Sequence, residues 1–585
     1  MCSFQDLPSR VIENIVDYFC QHDAQIPNAG HIKRLLEIGQ LCNTCTAIRS
    51  YAQPYYNEVV VFERHECGAG REPDTAVNPK LIWSWDEPPY IWRTNAISIV
   101  LSKRQSGVRI MIINSRDAFI EPMDMIDALN GGRFGAFEWP NIQMLRMYQG
   151  YDDTGEETTK WVTEESLTKL GEFLAKSLPA LTELDSYDTL GGRLDTNHTM
   201  STLMQRNITR MTKIQALNGN NPVFGVRQLP QQITHLDLQQ ARSGEALMLP
   251  KIFAPSLKFL GLQDIPLSYI WDQFYGGQHD DSGDLYFDSL VALKVAFFMP
   301  IAPMTDSKGS GEVGRAQRAQ QADDVDSVYT VLKANRRRPR FPKLRKLEIA
   351  KYPGGKLADF LEDFPVGRIV ELRVDGVLAS FKSLSLRAFK ALQQLSVTCT
   401  TQAKTPEHPH VNRLLAKTFG MEAQLHRLYI KTDWRLKIPM PPRIKCVSLK
   451  FLSLDVKMDI PTIAKLLDQL PRLEYLRLMQ VPRVHVWPLV WEDMLKEALK
   501  VVRTPEDIAR GSNLLELDVE GLFSICDASL VIPVILLLSM RIPSLQHILL
   551  DGNKEASALM IKLIRELSAG IKKYSNLSAV DVSVG

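Results

Sequence analysis

The chain has 585 residues, 45% apolar and 23% charged, with 69 lysines and arginines against 67 aspartates and glutamates for a formal net charge of +2. That composition is ordinary for a soluble globular protein, the length allows a large core and several domains, and the near balance of charge gives no support to the basic footprint of a nucleic-acid-binding protein. The eight cysteines, Cys2, Cys20, Cys42, Cys45, Cys67, Cys399, Cys446 and Cys526, are sparse and sit mostly among apolar residues, which suits reduced thiols in the cytosol or nucleus.

The first stretch, FQDLPSRVIENIVDYF from Phe4 to Phe19, has a turn-like Leu7-Pro8 pair and then an apolar stripe at helical spacing: Val11, Ile12, Ile15, Val16 and Phe19. Asp6, Arg10, Glu13 and Asp17 interrupt any apolar run, so the stretch does not read as a signal peptide. The connection Cys20 to His31 leads to a second amphipathic segment, whose apolar set is Leu35, Leu36, Leu41, Cys42, Cys45, Ile48 and Ala52. Two short helices cannot bury both faces of such stripes, so apolar surface should remain either for a partner or for capping the next folded segment of the chain. NAISIVL from Asn95 and NIQMLRMY from Asn141 are read as early strands; an acidic loop at 151–159 then leads to a helix from about Thr163 to Leu178.

From Leu181 onward one unit recurs, Leu-x-x-Leu-x-apolar. Thirteen copies begin at Leu181, Ile233, Leu257, Leu290, Leu344, Ile369, Leu392, Leu425, Leu449, Leu473, Leu514, Leu545 and Leu577. Several intervals are 23 to 25 residues, and others are longer. The alternation suits a short half-buried strand, and the intervening segments are often helical. In DIPTIAKLLDQL, Asp459 is a candidate N-cap, Pro461 sits in the first turn, and Ile463, Leu466, Leu467 and Leu470 share a face. Glu555 opens a similar helix, and Leu530–Met540, far short of the ~20 residues that span a membrane, reads as a buried one with Pro533 in its first turn. Residues 302–338 are polar and Gly-rich and are expected to be a disordered insertion; they end in the basic run Asn335 to Arg340, which fits a solvated charge run or a nuclear signal.

The period and pattern resemble the leucine-rich repeat, in which stacked strand-and-helix units bury a core that no single unit could bury alone. The N-terminal segments in turn resemble an F-box, on Leu7-Pro8, the Ile12/Ile15/Val16/Phe19 stripe, Leu41-Cys42 in place of the family's Val-Cys, and Ala52-x-Pro54-x-Tyr56 leading into VVVF. Cys45 stands where the family usually carries Trp or another large residue. Together they look like a divergent, fungal-type F-box/leucine-rich-repeat protein. The resemblance implies an α/β fold: an F-box-like helical domain at 1–62, divergent early repeats or a connector at 63–180, and a curved solenoid at 181–585 with strands on the concave face and helices and loops on the convex face. It implies a non-catalytic, substrate-recognition subunit of a cullin–RING ubiquitin ligase. Leu7, Pro8, Val11, Ile12, Ile15, Val16, Phe19, Leu35, Leu36 and Leu41 would bind a Skp-type adaptor, and the repeats would hold a protein substrate. The alternative is a repeat scaffold that binds a protein without any ligase.

Signals of catalysis are poor. Cys42-x-x-Cys45 has no second Cys/His pair at zinc-site spacing and fits core packing, and the Gly-rich stretches at Gly131 and Tyr352 match neither a phosphate loop nor a dinucleotide fingerprint. No cofactor, metal, nucleic acid or membrane is expected. The substrate site is expected where the side chains flanking the second Leu point outward. Most such pairs are charged or small, but the repeats at 425–478 present Arg427, Tyr429, Phe451, Tyr475 and Arg477 together. Aromatics and arginines are what binding hot spots favour, and paired arginines can read a carboxylate or phosphate; alternatively, the aromatics simply pack on one another.

Overall fold

A computed structural model of the chain describes residues 57–66, 90–101, 103–115, 122–130, 138–149, 164–188, 207–217, 231–239, 255–265, 287–297, 341–352, 357–362, 364–377, 386–400, 424–432, 444–455, 466–478, 513–518, 544–550 and 581–584, with isolated positions at 49, 203, 418, 542, 558, 561, 562 and 565. Residues 1–48 and 50–56 of the F-box-like segment, the polar insertion at 302–338 and the apolar segment Leu530–Met540 lie outside the described residues.

The chain divides into two units. One comprises Met1–Gln273 with two short pieces, Gly277–Asp281 and Tyr286–Leu290; the other comprises Val291–Gly585 with Phe274–Gly276 and Ser282–Leu285. In the first, the strands are β1 (Val59–Glu66), β2 (Tyr90–Thr94), β3 (Ile110–Ser115), β4 (Met144–Gln149), β5 (Glu183–Asp188), β6 (Lys213–Leu217), β7 (His235–Gln239) and β8 (Phe259–Ile265). β2 is antiparallel to β1, β1 is parallel to β3, and each strand from β3 to β8 is parallel to the next. Among the described residues of the second unit ten strands run parallel in chain order: β9 (Ala292–Phe297), β10 (Lys346–Tyr352), β11 (Glu371–Val377), β12 (Gln394–Thr400), β13 (Arg427–Thr432), β14 (Phe451–Asp455), β15 (Tyr475–Leu478), β16 (Glu516–Asp518), β17 (His547–Leu550) and β18 (Asp581–Val584). Each unit is therefore a repeating, mostly parallel β ladder within an α/β chain. The described helices are short apart from one: α1 (Ala96–Leu101), α2 (Pro122–Leu129), α3 (Glu164–Ser177) and α4 (Leu357–Leu361).

The Leu-x-x-Leu unit explains the ladder. Its second apolar residue falls in register from strand to strand, giving a buried row through Leu347, Leu372, Leu395, Leu428, Leu452, Leu476 and Leu517. Its first lies just ahead of the strand and is buried too, as at Leu344, Leu392, Leu425, Leu449 and Leu473. Between these two leucines the chain makes a repeated joint. The carbonyl one residue before most strands accepts two N–H donors from the next repeat, as Gln393 does from His426 (2.7 Å) and Arg427 (3.0 Å). The same joint is made by Arg109 and by Gln143, so the repeat geometry extends upstream of Leu181. β6 belongs to the pattern as well, with Met211 and Ile214 buried at the two leucine positions.

One expectation is corrected. NAISIVL is not a strand, because its residues Ala96–Leu101 form α1. The reason lies in the two polar residues before it. The Thr94 hydroxyl donates to the Val61 carbonyl (2.6 Å) and accepts from the Ala96 N–H (3.0 Å). Asn95 replaces a strand neighbour for β1: its Oδ1 accepts from the Val61 N–H (2.9 Å) and its Nδ2 donates to the Val59 carbonyl (3.0 Å). With the edge of β1 already satisfied by a side chain, the segment is free to turn into a helix. The second segment, NIQMLRMY, contains β4 as expected, and α3 falls within the expected 163–178 span, with Leu170 and Leu174 buried one turn apart.

In the second unit an aromatic cluster packs α4 against the ends of β9 and β10. Tyr352 meets Phe297 edge-on at 5.4 Å and Phe360 in a stack at 5.8 Å, and Phe364 bridges Phe360 (5.1 Å) and Phe341 (5.2 Å). Leu466, Leu467 and Leu470 are buried, with 466–469 helical, as the helix face predicted there requires; Ile463 lies outside the described residues. Among the described residues no helix is long and apolar enough to cross a membrane.

Candidate functional site

Strand side chains alternate between faces, so each repeat that buries its leucine also presents the residues on either side of it. From β12 to β16 the parallel register aligns these into two outward rows. One runs Gln394, Arg427, Phe451, Tyr475, Glu516, and the other Ser396, Tyr429, Ser453, Arg477, Asp518. Adjacent strands sit about 4.8 Å apart, close to ring-stacking distance.

The aromatic side chains use that spacing. The Phe451 and Tyr475 rings stack at 4.2 Å with an interplanar angle of 9°, and Tyr429, diagonal to Phe451, lies 4.8 Å from it at 36°. All three rings are half-buried. One end of the stack is anchored by Asp518, which is only 2% exposed. The Tyr475 hydroxyl donates to Asp518 Oδ2, and the Arg477 Nε lies 3.4 Å from the same oxygen. Burial, and then the hydrogen bond to Asp518, push the Tyr475 phenol well above its ordinary range, so it stays protonated. At the other end Arg427 is exposed.

The structure thus brings the five expected residues onto three adjacent strands, β13, β14 and β15, but gives them different work. Tyr429, Phe451 and Tyr475 form one ring row, stacked at Phe451–Tyr475 and tilted at Tyr429–Phe451, Arg477 is turned toward a carboxylate of its own chain, and Arg427 faces solvent. Attention to the two positions flanking each second leucine missed Lys431, the next outward residue of β13 and also exposed. Its signal was simple period-two spacing, Arg427, Tyr429, Lys431. The expected adaptor-binding residues, Leu7 to Leu41, lie outside the described residues.

The corresponding rows of the first unit carry polar chemistry of another kind. Asp185, 1% exposed, is held between Arg146 (3.1 Å) and Lys213 (3.3 Å). His235 stacks on Phe259 at 4.2 Å, and Asp237 accepts from Gln263 Nε2 at 2.9 Å. Asp237 leans across the neighbouring strand at Gly261, where a Cβ would come within 2.0 Å of its Oδ1, so a side chain there would have to displace the carboxylate. Asp185 is thus neutralised across strands by two cations, while Asp237 is held by a neutral amide.

Among the described residues no group of His, Cys, Asp and Glu is placed to hold a metal ion. Cys399 and Cys446 are buried thiols outside any disulfide, and burial pushes Cys446 up to about 12, which makes it inert. No protein-family model matches the chain, and no curated protein matches it in sequence.

Proposed function

We propose that the chain is a protein-recognition subunit built on leucine-rich-repeat geometry: it holds a substrate protein on the outward face of its parallel strands and, through its N-terminal F-box-like segment, delivers it to a cullin–RING ubiquitin ligase. The observation that supports recognition is the row of contacting rings Tyr429–Phe451–Tyr475, flanked by exposed Arg427, on a face where each repeat contributes one side chain per row. Half-buried aromatic side chains held rigid in advance give large contact area at low entropic cost. The link to a ligase rests on the resemblance of Leu7-Pro8 and the stripe Val11 to Phe19 to an F-box. In this reading the chain contributes no catalytic residue. It works in the cytosol, or in the nucleus if the basic run at 336–340 serves as a signal.

The test is co-expression of the full chain with a Skp-type adaptor. The wild-type protein should co-elute with the adaptor, and Ile12→Asp should abolish co-elution while leaving the repeats folded, because a charge in an interface core loses water without gaining a partner. Co-elution of the Ile12→Asp variant at wild-type yield counts against docking through this stripe. A second reading is a protein-binding scaffold without a ligase. It is favoured by one observation, that the aromatic row lies wholly on β13 to β15, far along the chain from the box, and needs nothing from it. A wild-type chain that does not co-elute with the adaptor selects this second reading.

A further inference from the structure

We propose that β13 is the reading strand of this face and that it takes an extended, acidic peptide segment with an apolar side chain between two anionic ones, in the order anion-x-apolar-x-anion. The proposal rests on the protein-recognition reading above and deepens it by naming the class of partner.

The strand sequence Arg427-Leu-Tyr-Ile-Lys431 buries Leu428 and Ile430 and turns Arg427, Tyr429 and Lys431 outward. Arg427 and Lys431 are exposed, while Tyr429 is half-buried against Phe451. Two cations therefore flank one aromatic along a single strand. With a rise of about 3.3 Å per residue they stand roughly 13 Å apart, and an extended peptide laid along the strand has the same rise. Its side chains at positions i and i+4 meet the two cations, and the side chain at i+2 meets the Tyr429 and Phe451 rings.

Charge decides the sign of the partner. Among the described residues, the ion pairs on and beside the outward rows of this unit are Lys294–Glu348, Lys346–Glu371, Arg373–Glu371, Lys450–Glu474 and Arg477–Asp518, and none uses Arg427 or Lys431. The outward residues of β12 beside them are neutral: Gln394, Ser396 and Thr398. Two acids lie near Lys431. Asp455, in register with it, is buried, and Asp375 on β11 is half-buried and feels first Lys351, which also hydrogen-bonds it, and then the charge of Lys431. Neither is presented to solvent as Arg427 and Lys431 are.

Arg477, the other arginine expected to read an anion, already faces Asp518, and the Tyr475 hydroxyl shares that carboxylate. Both are positioning residues that fix the end of the ring stack, so the ordering cost of the apolar subsite is met before a partner arrives. The anion can be a carboxylate or a phosphate ester, since a guanidinium accepts either.

The experiment titrates the full chain into fluorescein-labelled peptides with Gly-Ser flanks and reads anisotropy. The probes are Glu-Ser-Phe-Ser-Glu, the same peptide with phosphoserine for each Glu, Lys-Ser-Phe-Ser-Lys, and a peptide with both Glu residues on one side of Phe. Expected is salt-sensitive binding of the first two, with little binding of the basic or rearranged peptide. Arg427→Gln with Lys431→Gln should weaken binding about tenfold without moving the melting temperature, since both side chains are exposed. Tyr429→Ala should weaken it independently of salt. Tighter binding of the phosphoserine peptide supports the site and assigns a phosphate as the anion. Equal binding of acidic and basic peptides overturns the proposal, as does unchanged affinity in the double Gln variant. Neither variant touches the F-box-like segment, so adaptor co-elution, measured on the same proteins, separates failure of this site from failure of the ligase reading.

Discussion

At the scale of single residues, His235 shows how the ladder changes chemistry without making a site. Its ring lies flat on Phe259, and burial holds its pKa down at about 4, helped by the charge of Lys213 and opposed by Asp185. Linkage sets the sign of the pH effect. The folded state keeps the ring neutral below its ordinary value of 6.5, so on acidification the unfolded chain takes up the proton first. The contribution to stability is present above pH 6.5 and is lost as pH falls toward 4. Two measurements check this: an NMR titration of the imidazole, expected to have its midpoint near 4, and chemical denaturation of His235→Gln, expected to lose part of the acid sensitivity over that window. An imidazole that titrates near 6.5 in the folded protein would contradict the half-buried, stacked placement. Gly261 makes the same point through space rather than charge, because the room that a side chain would need there is occupied by the Asp237 carboxylate.

At the scale of elements, strands were mostly legible where a leucine stood at one of the two buried positions of the unit and obscure where neither held one. The units at 392, 425, 449 and 473 announce β12 to β15, because Leu395, Leu428, Leu452 and Leu476 must all reach one core row. β3 and β6 carry Met111 and Ile214 at that row and pass unnoticed in a search for leucine, although apolar-x-x-apolar spacing is present in both. NAISIVL misled because apolar content alone does not separate a strand from a short helix; what decides is that Asn95 satisfies the β1 backbone as a strand would. The candidate site was legible as positions, since period two places Arg427, Tyr429, Phe451, Tyr475 and Arg477 on one face, but not as partners. The closing of Arg477 and Tyr475 onto Asp518 depends on side-chain geometry across two strands. Asn95 supplies the test at this scale. Asn95→Ala leaves the Val61 N–H and the Val59 carbonyl buried without that side chain and should destabilise the first unit by about 2–3 kcal/mol, measured by chemical denaturation. The Val61 amide should also exchange faster with solvent, and wild-type stability in this variant would show that the side chain does not replace a strand.

At the scale of the whole molecule, the two units share one construction, in which each strand is bonded only to its neighbours in the ladder. In such an array stability is close to a sum of repeat terms and nearest-neighbour terms, so damage should be felt locally and decay with distance along the ladder. Leu428 is the most informative place to look. It is fully buried, sits in register between Leu395 and Leu452, and lies on the strand whose outward side carries Arg427, Tyr429 and Lys431. Leu428→Ala removes buried methyl groups and leaves a cavity that the flanking rows can only partly fill, at a cost of about 2–5 kcal/mol. Hydrogen exchange read by mass spectrometry should then show the largest loss of protection in β12 to β14, a smaller loss toward β9 and β18, and none in β3 to β8, which belong to the other unit. The same variant should weaken capture of the acidic peptide, because loosening β13 spreads the two cations and the ring that must meet their ligands together. Protection lost uniformly across both units would mean that the chain unfolds as one block, and the nearest-neighbour account of its stability would have to be abandoned.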